Sequence, residues 1–406
     1  MGKAKRRVVR ILAAAALVAA GVLARAAAML PDTVYVAKGE GLHLAAYPWL
    51  KPAPTLIRPA AAAGADGSRN ETLALLEVLP LKTVRVVETE RRTVEVLGTP
   101  FGMKMFSDGA MVVGFTDVET PQGLRNPAKE AGLKLGDLLV SLNGQKELNN
   151  DRAAEAVQKS GGSPLRLVYR RGGQEHEAQL TPAWDGETGQ YRAGMWLRDS
   201  AAGVGTLTFA DRENRSYGGL GHAISDSDTG QSIALLSGEV SRVNITGCKR
   251  GAPGLPGELK GEFLEKSGNL GRIAANRSQG VYGVLCRSLG GTPYEVAAAQ
   301  EITKGPAQIL TTISGTEPEW YDVEIERVSL RTSDPNKNMI LRVTDSRLLQ
   351  ATAGIIQGMS GSPVLQNGRL AGAVTHVLVN DPTRGYAIFA QEMVDQMDGM
   401  EQTQPA

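Results

Sequence analysis

Apolar positions follow three rhythms along the chain. The first is a continuous run at 11–23, broken by Arg25 and resumed at 26–30, with Lys3, Lys5, Arg6, Arg7 and Arg10 before it. Thirteen apolar residues fall short of the ~20 a bilayer span needs, so this layout predicts a signal peptide or, with its extension, an uncleaved anchor. The second rhythm is alternation in short pieces. Residues 33–36, 73–78 and 82–90 predict strands, with the Pro- and Ala-rich stretch 48–67 as a loop. Between 99 and 182 the order is strand, strand (111–118), helix (127–131), an alternating strand ending at Asn143-Gly144, helix (151–159), then strands 165–170 and 175–180. The third rhythm, from 190 to 397, is short apolar strands cut by glycine, clearest at 205–210, 233–243, 281–286, 322–330 and 339–343. Such a run suits a pair of small barrels or a sandwich.

Composition narrows this. A chain of 406 residues and 43.0 kDa exceeds one ordinary domain, and 42% hydrophobic residues exclude a disordered one. Forty-eight glycines and only 5% aromatics agree with many turns between short strands. A net charge of +1 argues against nucleic-acid binding through bulk charge. Cys248 and Cys286 lack metal-site spacing; one disulfide or two separate thiols both remain open.

The order between 99 and 182 resembles a PDZ domain. Pro127 can open its short helix and Gly132 can end it in a left-handed conformation. The resemblance implies a domain that takes an extended peptide as an added strand, with a hydrophobic-Gly-hydrophobic loop holding a terminal carboxylate. Phe101-Gly102-Met103 is the candidate loop. The second glycine usual before it is missing, so an internal peptide segment is the alternative ligand.

The chemistry points to GMSGSPVLQNGRLAGAVTHV, residues 358–377. Gly-x-Ser-Gly-x-Pro followed by strand, Asn-Gly turn and strand resembles the nucleophile region of chymotrypsin-like serine proteases. A serine attacking a carbonyl needs two backbone N–H groups aimed at the oxyanion, and a glycine two residues earlier lets the chain turn its amide inward. Ser360 is the candidate nucleophile, and the Gly358 and Ser360 amides the candidate hole. Thr375, His376 and Val377, on the strand after the hairpin, are the candidate substrate-binding edge. Of four histidines, His43 lies near the N-terminus and His176 between Glu175 and Glu177; His222, in GGLGHAI, is the candidate base. For the acid, Asp345 stands 15 residues before Ser360, with Asp226 and Asp228 as rivals nearer His222.

AGVGTLTF, GGLGHAISD, a late Thr-Asp and QGMSGSPVLQNGRLAGAVTHVLVNDPTRGY, together with the leader and the PDZ-like region, resemble the SpoIVB family of sporulation serine peptidases. That resemblance selects His222, Asp345 and Ser360 as the triad. It implies a mainly β chain: a leader at 1–28, a small β region at 29–97, an α+β PDZ domain at 98–183, a chymotrypsin-like double β-barrel peptidase at 184–398 and a tail at 399–406. It further implies an exported endopeptidase, acting between forespore and mother cell on itself and on a membrane-anchored SpoIVFA-like regulator, so that pro-sigma-K is processed. No cofactor or metal is required by this chemistry. Ala353 and Gly354, at the expected base of the specificity pocket, carry no carboxylate, which predicts small or apolar preferences. The competing expectations are an HtrA-like quality-control protease and a non-catalytic peptide-binding scaffold.

Overall fold

The structure, a computed structural model, describes residues 3–54, 68–146, 148–264 and 269–401. Two closed barrels form its centre, as the glycine-broken strands suggest. The first comprises Thr93–Phe115, Met195–Ala210, Ser216–Gly219, Gly280–Leu285, Asn269–Arg277 and Leu235–Lys249, the last pairing back onto the first. The second comprises Gly305–Thr311, Glu319–Val328, Met339–Val343, Arg384–Phe389, Arg369–Val377 and Pro363–Gln366. Closure pairs the barrel portions of these strands with neighbours on both sides, and the period of two drives alternate side chains inward. Tyr321, Val323 and Ile325 accordingly face the core of the second barrel, while Phe101, Met105, Leu207 and Val240 fill the first.

The hairpin turns form as their residues require. Asn143 and Gly144 have φ of 48° and 81°, and Asn367 and Gly368 have 52° and 74°, the two successive positive values of a type I′ turn. Residues 33–89 form a separate four-stranded sheet, ordered Thr33–Ala37, Leu79–Thr89, Arg69–Leu75, Leu50–Pro52. The stretch expected to be a loop at 48–67 thus contains one short strand; its residues 55–67 lie outside the described residues, as do 402–406 of the expected tail. The strand expected at 73–78 ends earlier, at Leu75, where a turn begins. Lys3–Ala28 is a single helix, and the apolar window from Arg10 to Ala28 is not buried inside the protein. Both cysteines are free thiols, Cys248 half-buried and Cys286 exposed.

The domains are nested rather than consecutive, which moves the boundaries expected at 98 and 184. Strand Thr93–Phe115 pairs in the first barrel through its N-terminal half, where Phe101 meets both Gly205 and Arg242. Its C-terminal half enters the PDZ sheet, where Met111 meets Leu138 and Phe115 meets Met195. Strand Met195–Ala210 makes the return journey. The PDZ domain is therefore inserted into the peptidase barrel, between two strands that continue through both.

This geometry overturns Phe101-Gly102-Met103 as a carboxylate-binding loop. The three residues lie mid-strand with neighbours on both edges, Phe101 is fully buried and Met103 nearly so. Their amides belong to the barrel ladder and have none to spare for a peptide. Gly102 serves packing: a Cβ there would lie 2.2 Å from the Phe263 ring. Within the PDZ domain, a groove of about 270 Å³ lies instead between helix Asn150–Lys159 and the start of strand Met195–Ala210, lined by Ala153, Val157, Met195 and Trp196.

Phe101→Ala tests this reassignment. Removing a buried phenylalanine ring costs about 3–5 kcal/mol, so the thermal midpoint should fall by roughly 10 °C or more. Peptide capture by the PDZ groove, measured by fluorescence anisotropy below that midpoint, should be unchanged; a selective loss of capture would restore the loop.

Candidate active site

The nucleophile turn begins after helix Ser346–Thr352, which ends at Ala353 in a left-handed conformation. Gly354 follows with φ 132°, and a Cβ there would lie 2.0 Å from the Pro382 carbonyl oxygen, so the wall expected at the base of a specificity pocket is closely packed. Gly358 and Gly361 have φ of 95° and 93°. At Gly361 a side chain is excluded twice over, because a Cβ would come 2.0 Å from the Thr206 oxygen and 2.5 Å from the Leu220 nitrogen.

The first barrel clamps this turn. The Thr206 amide donates to the Ser360 carbonyl at 2.9 Å, the Thr206 hydroxyl to the Gly358 carbonyl at 3.1 Å, and the Thr208 hydroxyl to the Gly361 carbonyl at 2.7 Å. With those carbonyls held, the Met359 amide turns to the Ile356 carbonyl and the Gly361 amide to that of Val374. The amides of Gly358 and Ser360 have no protein acceptor among the described residues. Two adjacent unspent donors flanking a serine are what a developing oxyanion needs.

The Ser360 hydroxyl donates to the Thr375 carbonyl at 2.7 Å, not to a histidine. The residue before His222 packs near the same strand: a Cβ on Gly221 would lie 3.0 Å from Thr375 Cγ2. His222 Nδ1 is 2.8 Å from the Ala223 carbonyl. A carbonyl only accepts, so Nδ1 carries the proton and Nε2 keeps its lone pair, the tautomer a general base needs. Burial lowers the His222 pKa, opposed by that hydrogen bond. The His376 ring covers His222, with centroids 4.5 Å apart and planes 33° apart. Burial of its inner face, then the proximity of His222 and Lys337, pushes His376 down to about 4, with Asp334 opposing.

The substrate edge is thinner than expected. The Thr375 side chain is buried and donates to the Asn336 carbonyl, and Val377 packs against the second core. The Thr375 carbonyl accepts from the Ser360 hydroxyl, and His376 is the exposed residue of the three.

Asp345 is not brought to His222. It caps helix Ser346–Thr352, accepting from the Arg347 amide at 2.8 Å and the Arg347 guanidinium at 2.9 Å, and it approaches the Asp322 amide at 3.4 Å. The Arg347 guanidinium holds its carboxyl below the ordinary aspartate range. Asp322, the neighbour of Asp345, pairs with Gln308, and Gln308 in turn with Leu365 of the hairpin after Ser360. The rivals are engaged elsewhere as well. Asp226 binds Arg198 and the Thr229 amide, and Asp228 pairs with Arg198 at 2.7 Å. Thr206, Thr208 and the Ala223 carbonyl went unassigned from sequence. The alternation of threonines in TLTF placed two hydroxyls on one strand face, but nothing local said what they meet.

Asp345→Asn separates capping from catalysis. Asparagine caps a helix about as well as aspartate, so the change mainly weakens the pair with Arg347, and the thermal midpoint should drop by only a degree or two with turnover near that of the wild type. A large fall in kcat at an unchanged midpoint would return Asp345 to the triad.

The chain is similar in part to several known proteins. A PDZ domain family matches residues 125–171. Among curated relatives, a putative zinc metalloprotease of Neisseria meningitidis is 33% identical over 95 residues, covering 22% of this chain and 21% of that protein. Serine protease HTRA1 of Xenopus laevis is 39% identical over 56 residues, covering 14% and 12%. The chain thus spans about a fifth or less of these relatives. Among solved structures, the Rv3671c protease of M. tuberculosis in its active form is similar at 14% identity and TM-score 0.32, over 51% of this chain and 77% of that one. The SpoIVB peptidase S55 family matches residues 189–394, just over half of the chain. The chain belongs to the SpoIVB peptidase S55 family and carries a PDZ domain.

Proposed function

We propose that Ser360 is the nucleophile, His222 its base, and the Gly358 and Ser360 amides the oxyanion hole. The observation that supports this reading is a serine on a glycine-flanked turn with two unspent amides, its hydroxyl bonded to the carbonyl next to His376, whose ring stacks on a His222 hydrogen-bonded through Nδ1. Rotation of the Ser360 hydroxyl from the Thr375 carbonyl to His222 Nε2 starts the reaction. His222 takes the proton as Oγ attacks the peptide carbonyl, and the two amides receive the charge. His222 then gives the proton to the departing amine as the C–N bond breaks. Water, deprotonated by the same nitrogen, releases the acyl group and restores Ser360. The Ala223 carbonyl takes the orienting role that a carboxylate has in the common triad.

The substrate follows from the family. A membrane-anchored SpoIVFA-like regulator and the chain's own N-terminal region are the proposed targets, with cleavage triggering pro-sigma-K processing between forespore and mother cell. The helix Lys3–Ala28 fits an export signal or an anchor on that route. The PDZ groove suits an extended peptide added to the open edge of strand Met195–Ala210, which near Met195 pairs only with Thr93–Phe115.

A labelled fluorophosphonate should modify the wild type and leave Ser360→Ala unmodified. Mass spectrometry of the two should find N-terminal self-cleavage only in the wild type. Labelling of the alanine variant would refute the assignment.

The pH profile carries a sign. Because the His222 pKa is lowered, its neutral, reactive form persists below pH 6.5, so the acidic limb of kcat/KM should lie below that value. His376→Ala opens His222 to water and should move the limb upward toward 6.5. A limb that does not respond would remove His376 from the base's environment.

A further inference from the structure

Four large apolar side chains gather at one exposed tip of the N-terminal sheet. Trp49 is 49% exposed, Leu76 71%, Val78 74% and Leu79 44%. They are neighbours: the Leu76 amide donates to the Trp49 carbonyl at 3.0 Å, and the Val78 amide closes the hairpin turn onto the Leu75 carbonyl at 3.1 Å. An exposed apolar group of this kind marks an interaction surface more often than an accident.

The turn itself adds a second observation. Leu76 and Glu77 have φ of 51° and 64°, the left-handed pair of a type I′ turn. At 143–144 and 367–368 this chain fills the same turn with Asn-Gly, which adopts it at little cost. A leucine there is disfavoured by its backbone conformation and again by its exposure to water. The exposure penalty is removed when the tip rests in an interfacial layer, where Leu76 and Val78 meet lipid while Glu77, paired with Lys51 at 2.7 Å, stays among headgroups and water.

The position of the tip says which medium. The helix Lys3–Ala28 ends beside it: Lys82, three residues after Leu79, donates to the Leu30 carbonyl at 2.6 Å and pairs with Asp32 at 2.7 Å. Three strand residues span about 10 Å, so the tip lies close to where an anchored chain would leave the bilayer. Met29, at that exit, is itself 45% exposed. Tryptophan with aliphatic neighbours at such a level suits the interfacial zone, where an amphipathic ring rests between lipid and water.

We propose that Trp49 and the turn 76–79 form a second membrane contact, inserting into the interfacial layer of the bilayer that the N-terminal helix crosses. The proposal rests on the reading of that helix as an anchor. It fixes the sheet, and through it the barrels, against the surface from which a membrane-bound substrate projects.

The full-length Ser360→Ala chain, reconstituted in vesicles whose lipids are brominated near the headgroup, provides the test. Its tryptophan fluorescence should be quenched, Trp49→Phe should abolish the quenching, and Trp184→Phe or Trp196→Phe should not. Leu76→Asn with Val78→Ser, residues suited to the turn, should shift the tip toward water by about tenfold or more, and in the otherwise wild-type chain should leave hydrolysis of a soluble peptide unchanged. A chain that floats with the vesicles while Trp49 stays unquenched overturns the proposal alone, as would be seen if a second copy or another protein covered the tip. A chain that does not float overturns the anchor and the proposal together.

Discussion

Everything in the active site depends on the grip of one strand on one turn. Thr206 and Thr208, from the first barrel, hold the carbonyls of Gly358, Ser360 and Gly361 in the second. Each bond contributes about 0.5–1.5 kcal/mol, a modest sum, but their direction matters more than their strength. By occupying the carbonyls they leave the Gly358 and Ser360 amides turned outward and unspent. The approach is so close that a methyl group at Gly361 has no space, which ties the catalytic geometry to the contact between barrels.

The gripping strand does not begin in the barrel. Met195–Ala210 starts along the PDZ groove, pairs with Thr93–Phe115 across both domains, and reaches Thr206 within the same ladder. A separate PDZ domain on a linker could move without consequence for the nucleophile. An inserted one shares its backbone hydrogen bonds with the peptidase, so groove and turn are two ends of one element.

The base is arranged with similar economy. His222 is stacked against His376 and hydrogen-bonded through Nδ1 to its neighbour's carbonyl. Burial keeps the ring neutral, which preserves its capacity to accept a proton. Asp345 stabilises the approach to the nucleophile turn instead, by capping the helix that precedes it and pairing with Arg347.

Much of this was legible in the linear chain because it is local. The Asn-Gly turns, the helix opened by Pro127, the glycines bracketing Ser360 and the apolar leader each express a conformational preference within a few residues. The family words located the serine and the histidine by the same short-range signals. What stayed hidden was non-local. Phe101-Gly102-Met103 read as a loop because a glycine between hydrophobes says nothing about which strands, a hundred or more residues later, will flank it. Asp345 was named a triad member by the family resemblance, and no local signal in the chain showed that its carboxylate also caps a helix and pairs with Arg347. Sequence by itself determined the elements, the turns and the glycine-flanked serine proposed as nucleophile, since these follow from side-chain sterics and hydrogen bonding to near neighbours. Only the tertiary structure decided that the PDZ domain is nested, which carbonyl orients the base and which threonines hold the turn, because strand register and burial exist only once distant segments have paired.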